Sequence, residues 1–236
     1  MRARILAAVM AGCAACCMTA GAEAAKIQVT FGGAVVEAHD NDSLFGGQVT
    51  VGTSFTGGFV YDQATPNTDP RPNFGFYQGA VSGFWIDFGN GVAYQQNNSL
   101  PYNNVQLGND RDDYGLPLFD GFYAYGEVSP FGGYDYAELG ISLESLDLAA
   151  LLSNALPDAL VDTFFLPGTP GVPKQGAGIE FHAINGSNEQ GYDLGTDVHV
   201  YGTLRYLNTT PVSAPASALL LAAALAGLAV AWRGRI

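Results

Sequence analysis

Apolar and polar residues alternate with a period of two along much of the chain. Ile27, Val29 and Phe31 are separated by Gln28 and Thr30. Leu139, Ile141 and Leu143 alternate with Gly140, Ser142 and Glu144. Ile179, Phe181 and Ala183 alternate with Glu180 and His182. Val198, Val200, Gly202, Leu204 and Tyr206 alternate with His199, Tyr201, Thr203 and Arg205. Successive side chains of a strand point to opposite faces, so each run predicts a strand with one buried and one wet face. That is the habit of antiparallel sheets. Residues 81–88 are apolar on both faces and predict a central strand.

Turn chemistry separates the runs. Gly32-Gly33, Gly46-Gly47, Gly57-Gly58, Asn90-Gly91, Gly132-Gly133 and Asn185-Gly186 supply residues that tolerate positive φ. Asn90-Gly91, set between two short apolar runs, predicts a hairpin. Residues 146–152 predict one short helix, with Asp147 near its start and Pro157 beyond it. Many short strands, frequent turns and one minor helix predict an all-β fold. We expect an antiparallel two-sheet sandwich, jelly-roll-like, with one short helix.

The two ends have a different pattern. Met1-Arg-Ala-Arg4 is a basic start, an apolar small-residue stretch follows, and Ala22-Glu-Ala24 fits an A-x-A signal-peptidase site with the cut near Ala24 or Ala25, so residues 1–25 read as a signal peptide. Met10-Ala-Gly-Cys13 is a looser lipobox-like alternative. At the other end, residues 216–232 form 17 positions without a charge. As a helix this run is roughly 25 Å long, which predicts a transmembrane segment. Trp232 stands where an interfacial aromatic belongs, and Arg233 and Arg235 act as stop-transfer charges. The expected organisation is a signal peptide (1–25), a β-sandwich domain (26–211) and a C-terminal tail (212–236).

The tail carries a family resemblance. Val212, Ser213, Ala214 and Pro215, the Leu/Ala-rich span and the terminal arginines together resemble a PEP-CTERM sorting signal. Val212 and Pro215 match that family's Val-Pro-Glu-Pro, while Ser213 and Ala214 depart from it. The segment 40–81 is more loosely similar to PEP-CTERM bodies through Leu44-Phe45, Tyr61-Asp62, Thr65-Pro66 and Ala80-Val81. The resemblance implies export by a Gram-negative bacterium, transient anchoring in the inner membrane through the C-terminal helix, and an exosortase-like sorting enzyme as partner. It implies a final place at the cell surface or outside the cell. Many family members are linked to extracellular polysaccharide.

Charge narrows the function classes. The chain has 9 Lys+Arg against 22 Asp+Glu. Four of the arginines and one acid lie in the end segments, leaving 5 basic and 21 acidic residues between them. Such a field repels phosphate backbones and excludes nucleic acid as a partner. All three cysteines (Cys13, Cys16, Cys17) fall in the N-terminal apolar stretch, so the middle has no disulfide, zinc-thiolate site or cysteine nucleophile.

No nucleophile elbow, zincin helix or phosphate-binding loop is present, and no catalytic residues are assigned. His39, His182 and His199 are dispersed in sequence. His182 and His199 fall on outer strand faces and approach each other only if their strands pair. Asp110, Asp112 and Asp113 are a Ca²⁺ candidate, since hard oxygen ligands suit that ion, but a solvated acidic loop between strands is the favoured reading. Aromatic residues cluster between Phe74 and Tyr136. Core packing accounts for many of them, and sugars also stack on exposed rings. The expected function is a non-enzymatic structural or interaction protein of the envelope or extracellular matrix. The alternative is a carbohydrate-binding module acting on extracellular polysaccharide.

Overall fold

The computed structural model describes residues 26–40, 43–99, 102–111, 118–128, 136–145, 148–160, 177–184 and 197–212. The strands are β1 (Lys26–Asp40), β2 (Ser54–Asp62), β3 (Phe74–Gln78), β4 (Val81–Asp87) and β5 (Ala93–Gln95). They continue as β6 (Asn104–Arg111), β7 (Phe119–Glu127), β8 (Tyr136–Ser145), β9 (Ala177–Ile184) and β10 (Asp197–Val212). All ten belong to one antiparallel sheet in the order β3-β6-β7-β8-β9-β10-β1-β2-β4-β5.

The alternating runs supply the inner face. Ile27, Val29, Phe31, Leu139, Ile141, Leu143, Ile179, Phe181, Val198 and Val200 are all buried. Removing a side chain of this size from water contributes about 1.5–3 kcal/mol. The sheet curls so that its two halves share this core. The Phe59 ring of β2 lies 6.3 Å from Phe122 of β7, and Tyr61 lies 5.8 Å from the same ring. Phe45, after β1, meets Phe181 of β9 at 5.5 Å. The segment after β5 reaches β7, where the Asn97 amide donates to the Glu127 carbonyl at 2.8 Å. β3 and β5 remain edges, so the sheet is not a closed barrel.

This corrects the expected two-sheet sandwich. Strands β9, β10, β1 and β2 hydrogen-bond one half of the sheet to the other without a break. Alternation tells which face of a strand is buried but not which strands are neighbours. Residues 81–88 are corrected too. β4 lies second from an edge, and while Phe84 and Ile86 are buried, Trp85 is exposed on the other side. The Asn90-Gly91 hairpin forms between β4 and β5. Gly89, Asn90 and Gly91 all take positive φ, and the Phe88 amide donates to the Val92 carbonyl at 2.9 Å.

The short helix is absent. Leu146 and Asp147 lie outside the described residues, and 148–152 form turns and bends. Side chains of the sheet take backbone groups of the stretch 148–160. The Leu151 amide donates to buried Asp120 at 2.7 Å, and the Tyr61 hydroxyl donates to the Pro157 carbonyl at 2.7 Å. Leu151, Leu156 and Leu160 are thereby buried against the core.

The expected membrane helix has no counterpart among the described residues. Among the described residues there is no helix, hence none long and apolar enough to cross a membrane. The anchoring, the encounter with a sorting enzyme and the surface destination were expected of the two end segments, and the described fold gives them no support. The segment 216–232 itself lies outside the described residues. So do Ala22, Ala24, Ser213, Ala214, Pro215, Arg233 and Arg235, while Val212 is the exposed last residue of β10.

Candidate binding face on the outer side of the sheet

The residues that alternate with the core line up across the outer face, and strand register sorts them into rows. Gln78, Asn104, Tyr125, Gly140, Glu180 and Tyr201 are successive partners from β3 through β6, β7, β8 and β9 to β10. A neighbouring row runs Phe76, Gln106, Tyr123, Ser142. On the other side run Glu127, Glu138, His182 and His199. In-register side chains on one face stand about 4.5–5.5 Å apart at Cβ, so each row is a line of neighbouring positions.

The first two rows form an aromatic and amide platform. A Cβ on Gly140 would lie 3.2 Å from two ring carbons of Tyr125, so that ring lies over the glycine and not upright on the sheet. Tyr123 covers Gly121 in the same way, at 2.7 Å. Its hydroxyl donates to Glu144 at 2.6 Å, which fixes the ring. Gln106 donates to Asn104 at 3.2 Å on β6, between the tyrosines' strand β7 and β3. At the β3 end the Arg71 guanidinium stacks 4.1 Å above Phe74 and pairs with Asp69 at 2.7 Å. That hydrogen-bonded guanidinium holds the Asp69 carboxyl down at about 2.

The third row is titratable. Glu138 accepts from the Tyr136 hydroxyl. Burial, with Glu180 and Glu127 nearby, pushes its carboxyl above the usual range, against the lowering effects of Tyr136 and His182. Glu127 is buried, and its Oε2 has no hydrogen-bond partner among the described residues. At the far end β10 lies beside β1. His199 stands between Tyr201, at 5.1 Å between ring centroids, and His39, at 4.4 Å. Glu37 Oε1 lies 2.8 Å from His39 Nε2 and 3.6 Å from His199 Nε2. The hydrogen bond from His39 is the main cause that holds the Glu37 carboxyl below its ordinary value.

Glu37 and His39 reach this face through a change of parity. Ile27, Val29 and Phe31 point inward, yet so does Ala38, which packs on the same core. Phe31 and Val35 keep the inward parity, but Val36 and Glu37 are exposed in succession, and there the inward set shifts by one. A one-residue shift moves every later side chain to the opposite face.

The sequence candidates fall as follows. The pairing on which the His182–His199 approach depended does occur, and His39 joins them from β1. Among the clustered aromatics, Tyr77, Phe84, Phe88 and Phe122 are core, while Tyr123, Tyr125 and Tyr136 are half-buried on the outer face. Asp110 has φ of 52° at an irregular point of β6, where its amide donates to Asp120 at 2.9 Å. Asp112 and Asp113 lie outside the described residues. Comparison with protein-family models, curated proteins and solved structures found no match to this chain.

Proposed function

We propose that the domain is a non-catalytic carbohydrate-binding module whose ligand lies across the outer face of β6, β7 and β8. The observation that carries this reading is the pair of tyrosines laid over glycines, Tyr125 on Gly140 and Tyr123 on Gly121, among amide and carboxylate side chains. A pyranose presents an apolar C–H face and a rim of hydroxyls. Rings that lie along a sheet offer the first a stacking surface, and Asn104, Gln106, Glu144 and Glu180 offer the second hydrogen-bond partners. Few rotatable groups need ordering, because Glu144 already fixes Tyr123.

Charge selects among glycans. Glu138, Glu144 and Glu180 share the face, and 21 of the residues between the end segments are acidic. Polyanionic chains such as uronates are repelled, so the ligand class is a neutral or amino-sugar polysaccharide. The resemblance to PEP-CTERM proteins, many of them linked to polysaccharide, agrees with this class.

The test is a glycan array probed with the full chain. Retention on neutral or amino-sugar glycans, with none on uronates, is the expected result. Retention on no glycan overturns the reading, and release of shortened sugars during incubation shows an enzyme instead.

A further inference from the structure

The outer face also gathers the chain's histidines. There are three in 236 residues, and all lie on the neighbouring strands β9, β10 and β1. We propose that Glu37, His39 and His199 form a binding site for a divalent transition-metal ion of the Zn²⁺ class. This stands apart from the glycan reading, because it uses the β10–β1 junction in the middle of the sheet and not Tyr123 or Tyr125.

The geometry is close to what such an ion requires. One ligand atom from each residue lies within 4.8 Å of the other two. Zinc–ligand bonds of about 2.0–2.1 Å in a tetrahedron set neighbouring donors about 3.3–3.4 Å apart. The separations of 2.8 Å and 3.6 Å about Glu37 Oε1 bracket that value. Glu37 and His39 side chains are about half exposed, at 53% and 50%, so each can turn toward a bound ion. The backbone holds the set in place. Glu37 and His39 are two apart on one strand and therefore share a face, and β10 delivers His199 beside them.

Ligand chemistry selects the ion. Imidazole nitrogens suit Zn²⁺, Cu²⁺ and Ni²⁺, whereas Ca²⁺ and Mg²⁺ take oxygen donors. The acidic surface raises the local concentration of any cation. Three protein ligands on an open face leave at least one position for water or an incoming donor. His182, in register with His199, is the nearest further imidazole.

The experiment uses the metal-free full chain. Zn²⁺ is titrated calorimetrically, and Co²⁺ is followed by its visible absorption. One ion per chain is expected, with Co²⁺ bands characteristic of nitrogen ligation. Loss of a direct ligand should weaken binding by more than the roughly 10–100-fold that loss of an outer-sphere partner costs, so His39→Ala, His199→Ala and Glu37→Gln should each fall by at least about 100-fold. Millimolar Ca²⁺ should not compete. Far-UV circular dichroism controls for folding, and exposed His39 and Glu37 carry the test if His199→Ala misfolds. Absence of Zn²⁺ binding, or equal affinity in the His39→Ala/His199→Ala double variant, overturns the site.

Discussion

Asp120 offers a sharp test of how the segment 148–160 is held. Its side chain is fully buried, one oxygen accepting from the Asp110 amide at 2.9 Å and the other from the Leu151 amide at 2.7 Å. Asp120→Ala removes both acceptors at once. The orphaned Leu151 amide is buried and costs about 1–3 kcal/mol, while the amide of exposed Asp110 can turn to water, so the variant should lose about 1–3 kcal/mol. Asp120→Asn retains one oxygen and should lose about half as much. Loss of the Leu151 bond also frees the stretch that covers the core with Leu151, Leu156 and Leu160. Urea unfolding followed by tryptophan fluorescence reads the midpoint, and limited proteolysis reads the segment directly. Cleavage within 148–160 should quicken in Asp120→Ala before the sheet unfolds. A midpoint within about 0.5 kcal/mol of wild type, the range of an uninvolved surface change, refutes the anchoring role.

Two further outcomes follow from buried polar groups. Burial and its acidic neighbours raise the Glu138 carboxyl, so between its ordinary value of 4.5 and the raised one the folded chain holds a proton that the unfolded chain has released. Its stability contribution therefore falls as pH rises through that window and is level above it. Glu138→Gln should gain on wild type from pH 5 to pH 8, and a relative loss over that range contradicts the assignment. Tyr61 is buried, and its hydroxyl donates to the Pro157 carbonyl, which also accepts from Gln63. Tyr61→Phe should cost about 1 kcal/mol in denaturant unfolding because the carbonyl keeps one donor, and a loss above about 3 kcal/mol would show a wider role.

Much of the β content was legible because burial on one face imposes a period of two. Val198 and Val200, or Ile179 and Phe181, are inward as their spacing requires. The hairpin at Asn90-Gly91 was legible for an equally local reason, its demand for positive φ. Pairing order was not legible, because it is set by which strands meet across the core, as Phe59 meets Phe122. The helix expected at 146–152 failed through a long-range contact. Asp120, far away in sequence, takes the Leu151 amide that a helix would have used.

The face was partly legible. His182 and His199 fell on outer positions, but only the β9–β10 register joins them. His39 was hidden by the parity change in β1, since counting alternate residues from Ile27 places it inward. The platform tyrosines carried a usable signal. Gly140 sits at a polar position of an alternating strand, where the missing Cβ makes room for a neighbour's ring. Gly121 does the same for Tyr123 two residues along its own strand.

The most direct measurement is a calorimetric titration of a neutral polysaccharide into the wild-type chain and into the Tyr123→Ala/Tyr125→Ala variant. Both rings are half-buried on the outer face, away from the core, so the variant should retain a β-rich circular dichroism spectrum. Ring stacking beyond area burial is worth about 0.5–1.5 kcal/mol per aromatic pair. Two lost rings should therefore weaken binding by roughly 5- to 150-fold, each 1.4 kcal/mol being tenfold. Saturable wild-type binding that collapses in the variant is the predicted result. Equal affinity in the two proteins would contradict a glycan site on this face.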